Sequence, residues 1–326
     1  MQNLNINEEE ALQFLEAQDK LYGVNNITPI DPPANPVEEV RVKPIISQES
    51  SAGESSWKIL SLAHLPSEGK YYPDNTEILI RPAKSKEIRH WSTIDESDPI
   101  EVIDKINFIL GACTKFTVRG HGALTYNDYL EIDRYHILFR IYELTFPNQE
   151  NKLFANIKCQ YDGHINSTQI QSDNLKGFSL PDELLKWYSA EDKCFKIVSE
   201  KLNETFYLYL PTIGVDSAFS AKRKHDIANG NDIDKSFYEF GPYLVPEWRG
   251  LTLKDLTDLK FETFSWPDNK FIFIHRFTEL LRKASLNQAV SHCAQCKRPT
   301  ESHIFLEGSF TVKDIFIIST RLDELI

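Results

Sequence analysis

Two cysteines spaced by two residues, in His292-Cys293-Ala-Gln-Cys296-Lys-Arg-Pro299, put a pair of soft donors at the spacing used by tetrahedral metal sites. A structural zinc needs four ligands. His303, in the apolar stretch that follows, offers a third, and the fourth must come from elsewhere because no second Cys-x-x-Cys follows. Upstream, Cys159-Gln-Tyr-Asp162 has the same form with a carboxylate in place of one thiolate, and His164 lies close by. Three readings stand at this point: a structural zinc on Cys293, Cys296, His303 and one further residue; a relic ribbon held by packing alone; and dithiol redox chemistry. The last is disfavoured because no strand–Cys-x-x-Cys–helix context surrounds the pair. The cofactor expectation is therefore none beyond a possible structural zinc. Cys113 and Cys194 are expected in the core.

Other chemistry-bearing patterns are missing from the sequence. There is no Gly-x-x-x-x-Gly-Lys-Ser/Thr, no Gly-x-Ser-x-Gly and no His-Glu-x-x-His, so no catalytic residues are assigned and an enzyme is not expected. Gly120-His121-Gly122 reads as turn glycines. The Asp232 and Asp234 loop lacks the later glutamate of a calcium loop and reads as a solvated turn. Lys222-Arg-Lys-His225 reads as an exposed basic cluster. Arg134 and Arg140, like Arg276 and Arg282, read either as a solvated helix face with acid partners such as Glu131 and Glu143, or as a repeated contact surface. The net charge of −12 repels phosphate backbones, so direct nucleic-acid binding is not expected. No run of about 18 apolar residues exists to span a membrane, and the first residues lack the basic start and apolar run of a signal peptide. The dispersed cysteines fit a reducing, intracellular setting.

The elements that must position these residues can be outlined. Residues 1–56 hold ten acids against Lys20, Arg41 and Lys43, with clustered prolines and serines, and are expected to form an extended acidic arm. Order is expected from Trp57, with strands at 57–62 and 77–81 around a Leu65–Pro73 turn in which Gly69 takes a positive φ. Helices are predicted over 85–93 and 99–112, and from a Thr125 cap to about Phe146. A β-ribbon is predicted over 153–170, and a helical pattern carrying Leu184, Leu185, Trp187 and Tyr188 over 175–200.

The two halves resemble each other. A gapless shift lays Ile103, Asp104 and Lys105 over Ile233, Asp234 and Lys235, Gly111 over Gly241, and Arg119-Gly120 over Arg249-Gly250. After a slip in register, Arg134 and Arg140 meet Arg276 and Arg282, and Cys159 meets Cys293. This predicts an α+β fold of two pseudo-repeated units, 57–200 and 201–326, each ending in a zinc-ribbon-like hairpin.

Leu65-Pro-Ser-Glu-Gly-Lys-Tyr-Tyr-Pro73, followed by Ile78-Leu-Ile-Arg-Pro82, resembles the opening of the T4-type phage baseplate hub protein family. The resemblance covers about residues 60–175. It implies a structural or assembly component of a contractile tail baseplate, acting by protein–protein contact with other tail proteins, compatible with an oligomer within a symmetric baseplate, and located in the virion or in the host cytoplasm during assembly. The alternative is a zinc-ribbon adaptor that binds nucleic acid or a regulatory partner through a basic face at Lys222–Lys224, Lys297 and Arg298.

Overall fold

Strands β1 (Lys58–Leu60) and β2 (Thr76–Ile80) pair antiparallel, and β3 (Thr114–Val118) continues the sheet on the far side of β2. Side chains alternate across a pleated strand. Ile78, Ile80, Phe116 and Val118 therefore enter the core, while Lys115 and Thr117 face out. The computed structural model describes residues 57–119, 124–147, 153–175, 178, 180, 182–201, 203–284, 288–303 and 315–316. The acidic segment 1–56 and the Gly120-His121-Gly122 turn lie outside the described residues.

Helices α1 (Ser85–Ser92) and α2 (Pro99–Cys113) lie where the sequence predicts them. Asp98 caps α2, its Oδ1 accepting from the Ile100 amide at 2.9 Å, and Pro99 takes the first turn, where its missing N–H costs nothing.

The Leu65–Pro73 turn closes on a buried carboxylate. The Ser67 amide donates to Asp133 Oδ1 at 3.0 Å, the Tyr72 hydroxyl donates to Asp133 Oδ2 at 2.8 Å, and the Leu130 amide donates to the Tyr72 hydroxyl at 3.1 Å. Gly69 has φ +73°, and a Cβ there would fall 2.8 Å from Leu62 Cβ. Gly69→Ala is expected to destabilise by about 1–3 kcal/mol, read as a lower urea midpoint. Burial pushes Asp133 up to about 6 against the pull of its donors, Ser67 and Tyr72. A raised carboxyl pKa favours the protonated form in the folded chain, so this contribution is fully present below about pH 4 and is lost as pH rises through about 6. Its size is about 3 kcal/mol, and Asp133→Asn should flatten that part of the profile in urea melts between about pH 4 and pH 7.

The helix predicted from Thr125 is shorter than expected. Thr125 caps only a 3-10 turn, Tyr126–Asp128, and helix α3 starts at Arg134 and ends at Thr145. Tyr129 and Leu130 are extended, with ψ 145° and 138°, because Leu130 bridges Thr212 and the Ile213 amide donates to the Tyr129 carbonyl at 2.8 Å. Tertiary pairing here overrides the helical spacing.

After α3 come the hairpin β4 (Phe154–Lys158) and β5 (Ile165–Gln169) and the short helix α4 (Asp182–Leu185). The helical pattern expected to run to residue 200 gives way to strands. β6 (Tyr188–Ser189), β7 (Cys194–Ser199) and β8 (Glu204–Leu208) form a second antiparallel sheet. Helices α5 (Ile213–Ala228), α6 (Lys235–Phe240), α7 (Leu253–Phe264) and α8 (Asp268–Ala284) follow, then the hairpin β9 (Gln288–His292) and β10 (Pro299–His303). The architecture is α+β with small antiparallel sheets.

The described residues form one compact unit. The expected boundary between residues 200 and 201 falls inside the β7–β8 hairpin, so the two expected units share a sheet. One core runs through both, from Trp91, Ile109 and Phe139 to Leu208, Phe237 and Phe277. From β1–β2 and again from β7–β8 the chain runs on through helices to a hairpin, but the two runs differ between: among the described residues β3 has no counterpart strand in the second run, and α7 has no counterpart helix in the first. Ile315 and Phe316 are buried, and the Phe316 ring lies 5.1 Å from Trp91, so the chain returns to the core beyond the second hairpin. Among the described residues, no helix is long and apolar enough to cross a membrane.

Candidate metal centre

The two hairpins are equivalent strand for strand. Phe154 pairs with Gln169 and Lys158 with Ile165, just as Gln288 pairs with His303 and His292 with Pro299. Each turn is a knuckle built in the same way. In the first, the Cys159 amide donates to the His164 carbonyl at 2.8 Å, the Gly163 amide donates to the Cys159 carbonyl at 2.9 Å, and the Tyr161 amide points at Cys159 Sγ at 3.4 Å. In the second, the Cys293 amide donates to the Arg298 carbonyl at 2.9 Å, the Lys297 amide to the Cys293 carbonyl at 2.9 Å, and the Cys296 amide to Cys293 Sγ at 3.5 Å. The tight return requires a left-handed residue at the same place in both, supplied by Gly163 (φ +73°) and Lys297 (φ +62°).

The knuckles face each other. Cys159 Sγ lies 3.6 Å from Cys296 Sγ, and Cys293 Sγ lies 3.4 Å from Asp162 Oδ2. The ligand atoms of Cys159, Asp162, Cys293 and Cys296 all fall within 4.8 Å of one another, so this cluster could hold a metal ion. Zinc–sulfur bonds of about 2.3 Å put two sulfurs of a tetrahedron about 3.8 Å apart, close to the spacing seen. Further bonds align the hairpins: the Ala294 amide donates to Asn166 Oδ1 at 2.8 Å, Thr168 Oγ1 donates to Ser291 Oγ at 2.8 Å, and the Arg298 guanidinium stacks 4.8 Å over the Tyr161 ring.

The donors are suited to a cation. The His164 backbone amide, donating at 2.9 Å, leads the interactions that hold the Asp162 carboxyl well below the usual range, so it is an anion at neutral pH. At Cys296 the Arg298 backbone amide favours the thiolate, but burial and the crowding of Asp162, Cys159 and Cys293 push the thiol up to about 11. Acidic groups packed this closely raise one another's cost of ionising, and a shared cation lowers it.

Of the ligands read from the sequence, Cys293 and Cys296 lie in the cluster. The backbone of His303 pairs with Gln288 at the opposite end of its hairpin from the cysteine turn. The remaining two donors are Cys159 and Asp162, the knuckle that reads from sequence alone as a degenerate copy. Aligning Cys159 with Cys293 is the signal that could have joined them. Cys113 and Cys194 are buried in the body.

Two expected surfaces are not surfaces. Lys222 is 3% exposed and pairs with the buried carboxylate of Asp226, which also accepts from the Tyr238 hydroxyl at 2.6 Å and from Lys260 Nζ at 3.4 Å. Lys224 faces Asp104 at 3.9 Å. Helix α5 turns the Lys222 face inward against α6 and α7, so the basic face expected at Lys222–Lys224 loses its first member. Arg134 is 2% exposed and meets Asp216 at 2.8 Å, across the seam between the halves, rather than water. Both arginines also keep the local acid partners named from the sequence, Arg134 with Glu131 at 3.9 Å and Arg140 with Glu143 at 3.1 Å. Asp234 caps α6, its carboxylate accepting from the Phe237 amide at 3.2 Å.

No protein-family model, curated protein or solved structure matches this chain.

Proposed function

We propose that this chain is a structural or assembly component of a contractile phage tail baseplate, in its hub region, working by contact with other tail proteins, and that its paired knuckles hold a structural zinc ion. The observation that carries the tail reading is the Leu65–Pro73 turn. The serine, the glycine and the second tyrosine of the motif each have a structural task there: the Ser67 hydroxyl accepts from the Gly69 amide at 3.2 Å, the Tyr72 hydroxyl donates to Asp133, and Gly69 makes the left-handed turn. The motif is thus a folding unit and not a chance string, which supports reading its resemblance to the hub family as structural kinship. The zinc reading rests on three thiols and one carboxylate at tetrahedral spacing, in two knuckles whose amides point at sulfur.

The adaptor alternative is weaker, because its basic face would need Lys222, and Lys222 is enclosed by α5 to α7. The test of the tail reading is to tag the chain during infection, purify tails and tail intermediates, and identify what accompanies it. Recovery with baseplate hub proteins is the expected outcome. Absence from tails and from every hub complex would sink the reading. The zinc reading is tested separately, by metal analysis of the purified protein, with about one zinc per chain expected.

A further inference from the structure

We infer that the metal clasp can be exchanged for a covalent one: oxidation by a peroxide joins Cys159 to Cys296 and expels the zinc. The inference rests on the zinc reading above. Its basis is the asymmetry of the four donors. Cys159 and Cys296 belong to different hairpins, yet their sulfurs are 3.6 Å apart. Cys296 is the accessible thiol of the cluster, while Cys159 and Cys293 are buried. Each buried thiol has an amide directed at its sulfur, Tyr161 at Cys159 and Cys296 at Cys293, so the choice of pair rests on the 3.6 Å approach of Cys159 to Cys296 and on the accessibility of Cys296.

A peroxide therefore meets Cys296 first. Its sulfur, as the thiolate that a bound zinc would stabilise, attacks one peroxide oxygen, the O–O bond breaks, and a sulfenic acid forms as the other oxygen takes up a proton and leaves as water. The Cys159 sulfur then displaces the sulfenic oxygen, which leaves as a second water. In total, two thiolates, one hydrogen peroxide and two protons give one disulfide and two waters; sulfur is oxidised and peroxide reduced. The sulfurs must close by about 1.5 Å to reach the bonded distance of about 2.05 Å. Only Cys293 and Asp162 then remain as ligands, too few for a structural zinc, and the ion leaves to water. Because Asp162 stands where a fourth cysteine would stand, only one disulfide forms and one thiol is left over. The new bond spans the same two knuckles that the zinc spans, so the ribbon stays closed without metal.

The test uses the zinc-loaded full chain. Hydrogen peroxide is added, zinc release is followed with a chromogenic chelator, and the disulfide is mapped by mass spectrometry without reduction. The expected result is one zinc released per disulfide, with the peptide bearing Cys159 linked to Cys296 in the peptide that also carries Cys293. The oxidised protein should then resist chelator-induced loosening of the hairpins, while the reduced protein does not. Zinc retained at peroxide levels that oxidise free cysteine overturns the inference, as does a disulfide confined to Cys293 and Cys296. A protein prepared with zinc and reductant that takes up no zinc overturns the zinc reading instead. Mapping on the native sequence needs no variant that could fail to fold.

Discussion

Replacing Cys293 with serine is expected to lower zinc affinity by roughly two orders of magnitude or more and to detach the second hairpin from the first. The size follows from what else joins them. A two-stranded hairpin is marginal alone in water, and the described links beyond the donors include the Asn166–Ala294 and Thr168–Ser291 hydrogen bonds, the Arg298–Tyr161 stack and the packing of β10 on β4. In small zinc domains the metal supplies about 10–16 kcal/mol of apparent folding free energy. Here that figure is a ceiling, because the body has its own core and should keep its helices when the clasp opens. Far-ultraviolet circular dichroism should therefore change little, while amide exchange in 154–169 and 288–303 should rise steeply. Asp162→Ala leaves three thiolates and should cost less than Cys293→Ser, and Asp162→Cys should restore tight binding. His303→Ala is the discriminating control: its backbone lies at the far end of the β9–β10 hairpin, so zinc content should not move. Retention of stoichiometric zinc by Cys293→Ser, or its loss in His303→Ala, would show that the donors are not these four.

Elements with a local cause were legible in the sequence. The strand expected over 77–81, the helix expected from Pro99 and the Gly69 turn each follow from short-range sterics and hydrogen bonding, and the structure has a strand at Thr76–Ile80, a helix from Pro99 and a positive φ at Gly69. What was not legible depends on residues far apart. Tyr129 and Leu130 sit at helical spacing, but pairing with Thr212 and Ile213 draws the backbone out straight. Arg134 reads as a surface residue until Asp216 from the other half covers it. The candidate metal centre divides in the same way. Each knuckle is visible as a Cys-x-x-Cys or Cys-x-x-Asp turn, but their meeting is a contact across more than a hundred residues, and no local pattern encodes it. The substitution of a carboxylate for a thiolate at Asp162 makes one knuckle look decayed, when aspartate is itself a competent zinc donor.

A second large effect lies at Asp226, which joins a local partner, Lys222 one turn back on α5, to Tyr238 of α6 and Lys260 of α7. Asp226→Ala is expected to destabilise the protein by about 3–5 kcal/mol, because it leaves the buried ammonium groups of Lys222 and Lys260 without their shared counter-charge. Burial alone would raise the Asp226 carboxyl; Lys222, Tyr238 and Asn231 outweigh it and hold the group well below the usual range. A lowered carboxyl pKa gives stability that is present above about pH 4 and lost as pH falls below it. That is the reverse of Asp133, whose contribution declines as pH rises through about 6. The two together predict a stability maximum between the windows, and each variant should remove only its own flank. If the cost of Asp226→Ala is electrostatic, adding Lys222→Met must return part of it, since one stranded charge is replaced by an apolar side chain of similar length. A double variant no more stable than Asp226→Ala alone, by urea unfolding at neutral pH, would assign the loss to the Tyr238 and Asn231 hydrogen bonds instead.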